Sequence, residues 1–266
     1  SIKFDKEISF QGSPVFVARN RRAIENLVSQ SARNQNSRIT MVLHGVLTSD
    51  YDKWQLFTSN YNYLDEVVVF GKQQEDAIVK KQKYLGLSIP KINIQSKYFV
   101  KTLLGGEENK TNKTNKIKLL IVGQGFNDKY LHKLSVKLSK QFNKDYEIFF
   151  RPVPKNFKKF KSPFIEKRNN LAKYLNEYDI VISHSSTVLF EAVIAKSLVL
   201  VLNFNTFNQV FSTPLSETRH INKNDRSKMI LESDQCLINV MSNIAKGVDV
   251  NVIKTINQKW IKYFVK

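Results

Sequence analysis

The chain has 266 residues, 42% of them hydrophobic and 11% aromatic, and a formal net charge of +19. Such a composition can bury a substantial core in one large or two small domains, which excludes a chain disordered throughout. The single cysteine, Cys236, excludes an internal disulfide and a cysteine-built zinc site, and no run of 18 apolar residues offers a transmembrane span. Cys236 sits in a helical pattern and reads as a small core residue. The opening Ser1-Ile2-Lys3-Phe4-Asp5 lacks the pattern of a signal peptide. Together these features lead to the expectation of a cytoplasmic protein. The charge implies an anionic partner (nucleic acid, a phosphate-bearing substrate or an anionic membrane) without choosing among them.

No internal repeat is apparent. In chain order, the first half predicts a strand over 14–18, a helix over 22–31, and a strand over 38–43 that ends at His44-Gly45. A second buried strand over 66–70 is stopped by Gly71. A helix over 73–85 ends at Gly86, and a short strand follows over 91–94. Residues 105–116 carry no large apolar side chain and read as a linker between a domain over 1–104 and a second over 117–247. After the linker come a strand over 117–122, a helix over 128–142, a strand over 146–150, a helix over 165–175 and a strand over 179–183. A helix over 187–195 and strands over 198–203 and 228–231 follow, then a helix capped by Asp234 that runs to 245. Short strands alternating with helices predict an α/β fold, a parallel sheet covered on both faces. Residues 248–266 form an amphipathic helix with Ile253, Ile256, Trp260 and Phe264 on one face; it either packs back on the protein or lies on an anionic membrane surface.

Three segments at predicted strand ends could carry chemistry. Ser183-His184-Ser185-Ser186-Thr187 joins a buried strand to a helix, and in open α/β sheets ligands bind outside the carboxyl ends of strands. Backbone N–H groups and the hydroxyls of Ser185, Ser186 and Thr187 suit a phosphate there, and Glu191, a turn further on, suits ribose hydroxyls. Arg151-Pro152-Val153-Pro154 opens a lysine-rich loop able to hold a diphosphate. Gly123-Gln124-Gly125 permits close backbone approach to a ligand but lacks the third glycine of the dinucleotide fingerprint, which argues against NAD or FAD. Taken singly, each also fits a plain capping turn or a solvated loop.

The order strand, Arg-Pro-x-Pro, helix, Asp179-Ile180-Val181-Ile182-Ser183 with Ser185-Ser186-Thr187 and Glu191-Ala192, then strand, resembles the donor half of GT-B glycosyltransferases of bacterial surface-polysaccharide synthesis. The likeness is to capsule, lipopolysaccharide and teichoic-acid enzymes, among them sialic-acid and Kdo transferases using CMP-sugars and CDP-glycerol glycerophosphotransferases. Met41-Val42-Leu43-His44-Gly45 resembles the acceptor-half His-Gly segment of the same enzymes. The resemblance implies two Rossmann-like domains facing a cleft, the N-terminal one reduced. It also implies a glycosyltransferase that moves a sugar from a nucleotide-activated donor, CMP- or CDP-linked before UDP-linked, to a glycan or lipid-linked acceptor. The site it implies has Ser185, Ser186, Thr187 and Glu191 binding the donor, and the strand-end reading above adds Gly123, Gln124, Arg151 and Pro152 to them. His44 is its general base, with Asp50 and His184 as further catalytic candidates. No cofactor and no metal are expected. One departure stands out: Val153 occupies the place of the family's histidine and can neither donate a hydrogen bond nor move a proton.

Two other readings stay open. A UDP-N-acetylhexosamine 2-epimerase would share the fold. A non-catalytic binder of nucleotide-sugar or nucleic acid would use the charge, although no nucleic-acid-binding signature is present.

Overall fold

In the computed structural model the described residues are 9–18, 23–43, 59–95, 115–161, 164–184, 186–204, 229–247, 252 and 255. The chain divides into two compact units, Ser1–Lys97 with Phe264–Lys266, and Tyr98–Tyr263. Each holds a parallel sheet.

Among its described residues the first unit has four strands in sequential order: β1 (Val15–Val17), β2 (Ile39–Val42), β3 (Glu66–Val69) and β4 (Lys91–Ile94). Helix α1 (Ala23–Asn34) joins β1 to β2, and α2 (Lys72–Tyr84) joins β3 to β4. Alternation along the strands puts Ile39, Met41, Val67 and Val69 on one face, and these pack with Ala32 of α1, Ile78 of α2, Tyr61 and Leu64 as the core. Helix α2 ends as the sequence predicts: Gly86 takes φ +64°, a left-handed turn that costs a glycine nothing, and its N–H donates to the Lys83 carbonyl.

The second unit contains β5 (Ile117–Val122), α3 (Asp128–Gln141), β6 (Tyr146–Arg151), β7 (Ile180–Ser183), α4 (Val188–Ile194), β8 (Leu198–Leu202), β9 (Ile230–Leu231) and α5 (Asp234–Ala245). Its sheet runs β6-β5-β7-β8-β9. Ile165 adds a parallel bridge to Phe150 on the far side of β6, so the spatial order becomes that of a Rossmann sheet, 3-2-1-4-5-6. All residues of β7 and β8 are buried, as expected for parallel strands covered on both faces.

The two units share a device. Asp65 precedes β3; its N–H donates to the Ile39 carbonyl, its carboxylate accepts from the Ile39 N–H at 2.8 Å, and its carbonyl accepts from Lys91. Asp179 precedes β7 and repeats this pattern with Lys118 on one side and Leu198 on the other. In both, an aspartate clamps the amino ends of three adjacent strands and fixes their register.

Three sequence expectations are corrected. Residues 165–175 were expected to be helical; instead Ile165 pairs with β6 and a 3-10 turn begins only at Leu171, after Asn170 in the left-handed region. Arg168 folding back on Glu166 holds this bend. The cap of α5 is Ser233, whose Oγ accepts from the Cys236 N–H at 3.2 Å, and Asp234 is a first-turn acid. Cys236 is exposed, not core, because the buried stripe of α5 passes through Leu237, Met241 and Ile244. Among the described residues no helix is long and apolar enough to cross a membrane. The terminal amphipathic stretch lies outside the described residues apart from Val252 and Thr255, both helical.

Candidate functional site

In the second unit the chain passes from β5 to β6 on one side and then to β7 on the other. The topological switch point therefore lies between β5 and β7, where ligands of such sheets bind. Val122, Arg151 and Ser183 stand in one row at the carboxyl edge. The three sequence segments singled out above all leave the sheet from this row. Ser183 is fully buried and donates to the Val122 carbonyl at 2.9 Å, stitching the floor of the switch point together.

The loop after β5 is fastened from within. The Gly123 N–H donates to the Arg151 carbonyl, the Gln124 N–H to Asn127 Oδ1 and the Gly125 N–H to Asp128 Oδ1, each at 2.8 Å. Asp128, 1% exposed, also receives the Val153 N–H at 3.2 Å and the Asn156 side-chain amide at 2.8 Å. One buried carboxylate thus ties the loop after β5 to the loop after β6. A Cβ at Gly123 would lie 2.0 Å from Asp128 Oδ1, so this glycine makes room for the carboxylate, and the N–H groups of Gly123, Gln124 and Gly125 are donated within the protein. Gly123→Ala is expected to cost about 2–3 kcal/mol through overpacking, measured by urea unfolding; a change below about 0.5 kcal/mol would contradict the contact.

The turn after β7 is arranged differently. His184 is 1% exposed, with Nδ1 2.7 Å from the Leu202 carbonyl; a carbonyl only accepts, so Nδ1 carries the proton. Burial pushes its pKa down, partly opposed by that bond. This is the geometry of a side chain that fixes the turn against β8, not of an exposed acid. The unfolded chain takes up a proton near pH 6.5 that the folded turn refuses, so this histidine's contribution is full above that pH and is lost as pH falls below it. His184→Gln should therefore flatten the pH dependence of unfolding free energy between pH 7 and 5; an unaltered slope would refute this placement.

Ser186 and Thr187 are half-buried at the start of α4, where Ser186 Oγ accepts from the Val188 N–H at 3.3 Å. Burial pushes the Glu191 carboxyl up, so it ionises less readily than an ordinary glutamate. Ser185 lies outside the described residues, as do His44 and Asp50.

Arg151 does not point its charge freely outward. Its Nη1 donates to the Arg168 carbonyl at 2.9 Å and its guanidinium lies 5.3 Å from the Phe157 ring. Pro152 is buried, and Val153 packs over Gly125, 3.6 Å from where its Cβ would be. Lys155, Lys158, Lys159 and Lys161 are exposed and keep this lip positive. Behind it, Arg168 bridges Glu166 and Glu177 at 2.6 and 2.7 Å, and the Tyr178 hydroxyl donates to Glu166. Burial alone would raise the Glu166 carboxyl, but hydrogen bonds from Arg168 and Tyr178 outweigh it and hold the group below the usual range.

Sequence reading missed Asn127, Asp128, Asn156 and Arg168. The Gly-Gln-Gly-Phe-Asn-Asp run carried a partial signal, since acids and amides just after a glycine loop often bond its amides. In the first unit a hollow of about 510 Å³ is lined by Arg33, Asn36, Ser37, Arg38 and Asp65, at the amino ends of β2 and β3. Its arginines are already paired, Arg33 with Asp65 and Arg38 with Glu66.

No protein-family model matches the chain, and no curated protein matches it in sequence. Solved structures do resemble it. The wall teichoic acid polymerase TagF, in a variant soaked with CDPG, matches over 95% of this chain and 67% of its own, with a TM-score of 0.61 at 12% identity. The UDP-GlcNAc 2-epimerase from Neisseria meningitidis bound to UDP-GlcNAc matches over 91% of this chain and 70% of its own, with a TM-score of 0.58 at 12% identity. A glycosyltransferase from Rickettsia africae matches over 95% and 72%, with a TM-score of 0.51 at 17% identity. The fold is thus that of GT-B proteins: two Rossmann-like α/β units, with four strands in the first sheet and five in the second among the described residues.

Proposed function

We propose that the chain is a GT-B glycosyltransferase that takes a nucleotide-activated donor and transfers its sugar to a glycan or lipid-linked acceptor of the bacterial surface. One observation carries this reading: the hydroxyl-bearing turn with Ser186 and Thr187 leaves the sheet at the switch point, half-buried, at the same carboxyl edge from which the lysine-rich loop after β6 leaves. Amides and hydroxyls at such a turn suit a donor phosphate, and Ser185 belongs with them by its place in the sequence. The leaving nucleotide phosphate is stabilised there and by the lysines after β6, the main electrostatic contribution to transfer. Glu191 accepts from ribose hydroxyls. His44 is the general base toward the acceptor hydroxyl, with Asp50 as its orienting or alternative group. Arg151 and His184 act by positioning: the first holds the loop after β6, the second fixes the turn after β7. Crystals of the fold neighbours held CDPG and UDP-GlcNAc, which supports a nucleotide-linked donor; a CMP- or CDP-linked one is preferred. We place the protein at the inner face of the membrane, where such acceptors are made.

The epimerase likeness favours a second reading, 2-epimerisation of a UDP-N-acetylhexosamine. Thermal shift with CMP, CDP, UDP and duplex DNA tests the class: stabilisation by a nucleotide supports a donor site, and a salt-sensitive shift with DNA alone supports a nucleic-acid binder. Incubation with UDP-GlcNAc followed by proton NMR separates the enzymes, since epimerisation needs no acceptor.

A further inference from the structure

The loop after β5 is rigid in an unusual way for a segment at a ligand-binding edge. Its amides are bonded within the protein, to Arg151, Asn127 and Asp128. Asn127 and Asp128 are 3% and 1% exposed, and Gly125 adopts φ +84°, which turns the chain outward at the next residue. That residue is Phe126. It is 57% exposed, and its ring makes a T-shaped pair with the buried His184 ring, centroids 5.9 Å apart and planes at 82°. His184 is itself anchored to the Leu202 carbonyl. An aromatic face is therefore held in place across the switch point, between the loop after β5 and the turn after β7, by a loop whose first three amides are already bonded within the protein. Isolated exposed phenylalanines are common, but a mount built from two buried polar side chains and a left-handed glycine presents this one in a fixed attitude. Preorganised aromatic faces bind flat π systems with little entropy loss.

We infer that Phe126 is a stacking platform for the planar base of the nucleotide donor, a binding residue beyond those that hold the phosphate and ribose. The inference rests on the nucleotide-donor reading and divides the labour of the switch point. The turn after β7 takes the phosphate, and the ring takes the base. Base stacking on an aromatic side chain is generally lost on truncation to alanine or to an aliphatic group and kept by another aromatic.

The test compares Phe126→Ala, Phe126→Leu and Phe126→Trp in calorimetric titrations with CMP, CDP and UDP, together with saturation-transfer NMR on the pyrimidine H5 and H6 protons. The expected result is about tenfold weaker binding for Ala and Leu, affinity close to wild type for Trp, and transfer to H5 and H6 that disappears with the ring. The leucine variant keeps apolar contact with His184 and so guards against a folding defect in the alanine variant. Wild-type binding of a nucleotide with unchanged affinity and unchanged transfer in Phe126→Ala and Phe126→Leu would overturn the platform and leave the nucleotide-donor reading standing. No binding of CMP, CDP or UDP by the wild-type chain would overturn that reading, and the platform with it.

Discussion

Asp128→Ala is expected to lower the unfolding free energy of the second unit by about 3–5 kcal/mol, the largest effect of any single substitution considered. The carboxylate is 1% exposed and receives three hydrogen bonds, from the Gly125 and Val153 N–H groups and from the Asn156 side chain. Removing it strands one buried and two part-buried donors, each costing about 1–3 kcal/mol unless water or relaxation reaches it. Asp128→Asn should cost less, because one oxygen remains, but its amide then faces other donors. Adding Asn156→Asp to that variant should recover part of the loss. The same carboxylate explains a coupling: the 2.0 Å approach at Gly123 vanishes with it, so Gly123→Ala should cost less in the Asp128→Ala background. Additive effects in a urea-unfolding cycle would show that the contact is not what constrains the glycine.

The second large effect is at Arg168. Glu166 has a side chain 4% exposed and depends on this guanidinium, which also reaches Glu177 and Tyr178. Arg168→Ala leaves a buried carboxylate without its partner. A fully buried pair would lose about 3–5 kcal/mol, but Arg168 is 38% exposed and water softens the loss to about 2–3 kcal/mol. Arg168→Lys should restore little, since an ammonium cannot reproduce the fork to Glu166 and Glu177. Because the folded Glu166 pKa lies below its unfolded value, its stabilisation is present above the unfolded pKa and is lost as pH falls through the folded one. The acid limb of the stability curve should therefore be shallower in the variant. An identical acid limb, measured by urea midpoints from pH 5 to 2.5, would contradict the pairing.

Much of the fold was legible because buried parallel strands announce themselves as short apolar runs. The runs at 117–122 and 198–203 need no partner to be recognised, and the structure moves their ends by a residue at most. What stayed hidden depends on contacts between distant residues. Ile165 forms a bridge only because β6 lies beside it; its own sequence, followed by charged and polar residues, reads as helix. Asp128 looks like an ordinary first-turn acid until the fold brings Val153 and Asn156 to it across 25 residues or more. The matching clamps of Asp65 and Asp179 were likewise invisible as a repeat, since a single aspartate before a strand carries too little information to be noticed. At the candidate site the strand-end positions of Gly123, Arg151 and Ser186 could be anticipated. That Gly123 yields to a carboxylate and Arg151 to a carbonyl could not.

The central claim is that the turn after β7 receives the phosphate of a nucleotide-linked donor. Calorimetric titration of CDP and UDP into the wild-type chain and into a variant carrying both Ser185→Ala and Ser186→Ala addresses it directly. At least tenfold weaker binding is the result expected from losing two charge-assisted hydrogen bonds, with unfolding free energy lowered by no more than the roughly 1 kcal/mol that loss of the Ser186 bond to the Val188 N–H accounts for. Equal nucleotide affinity in the two proteins would contradict it.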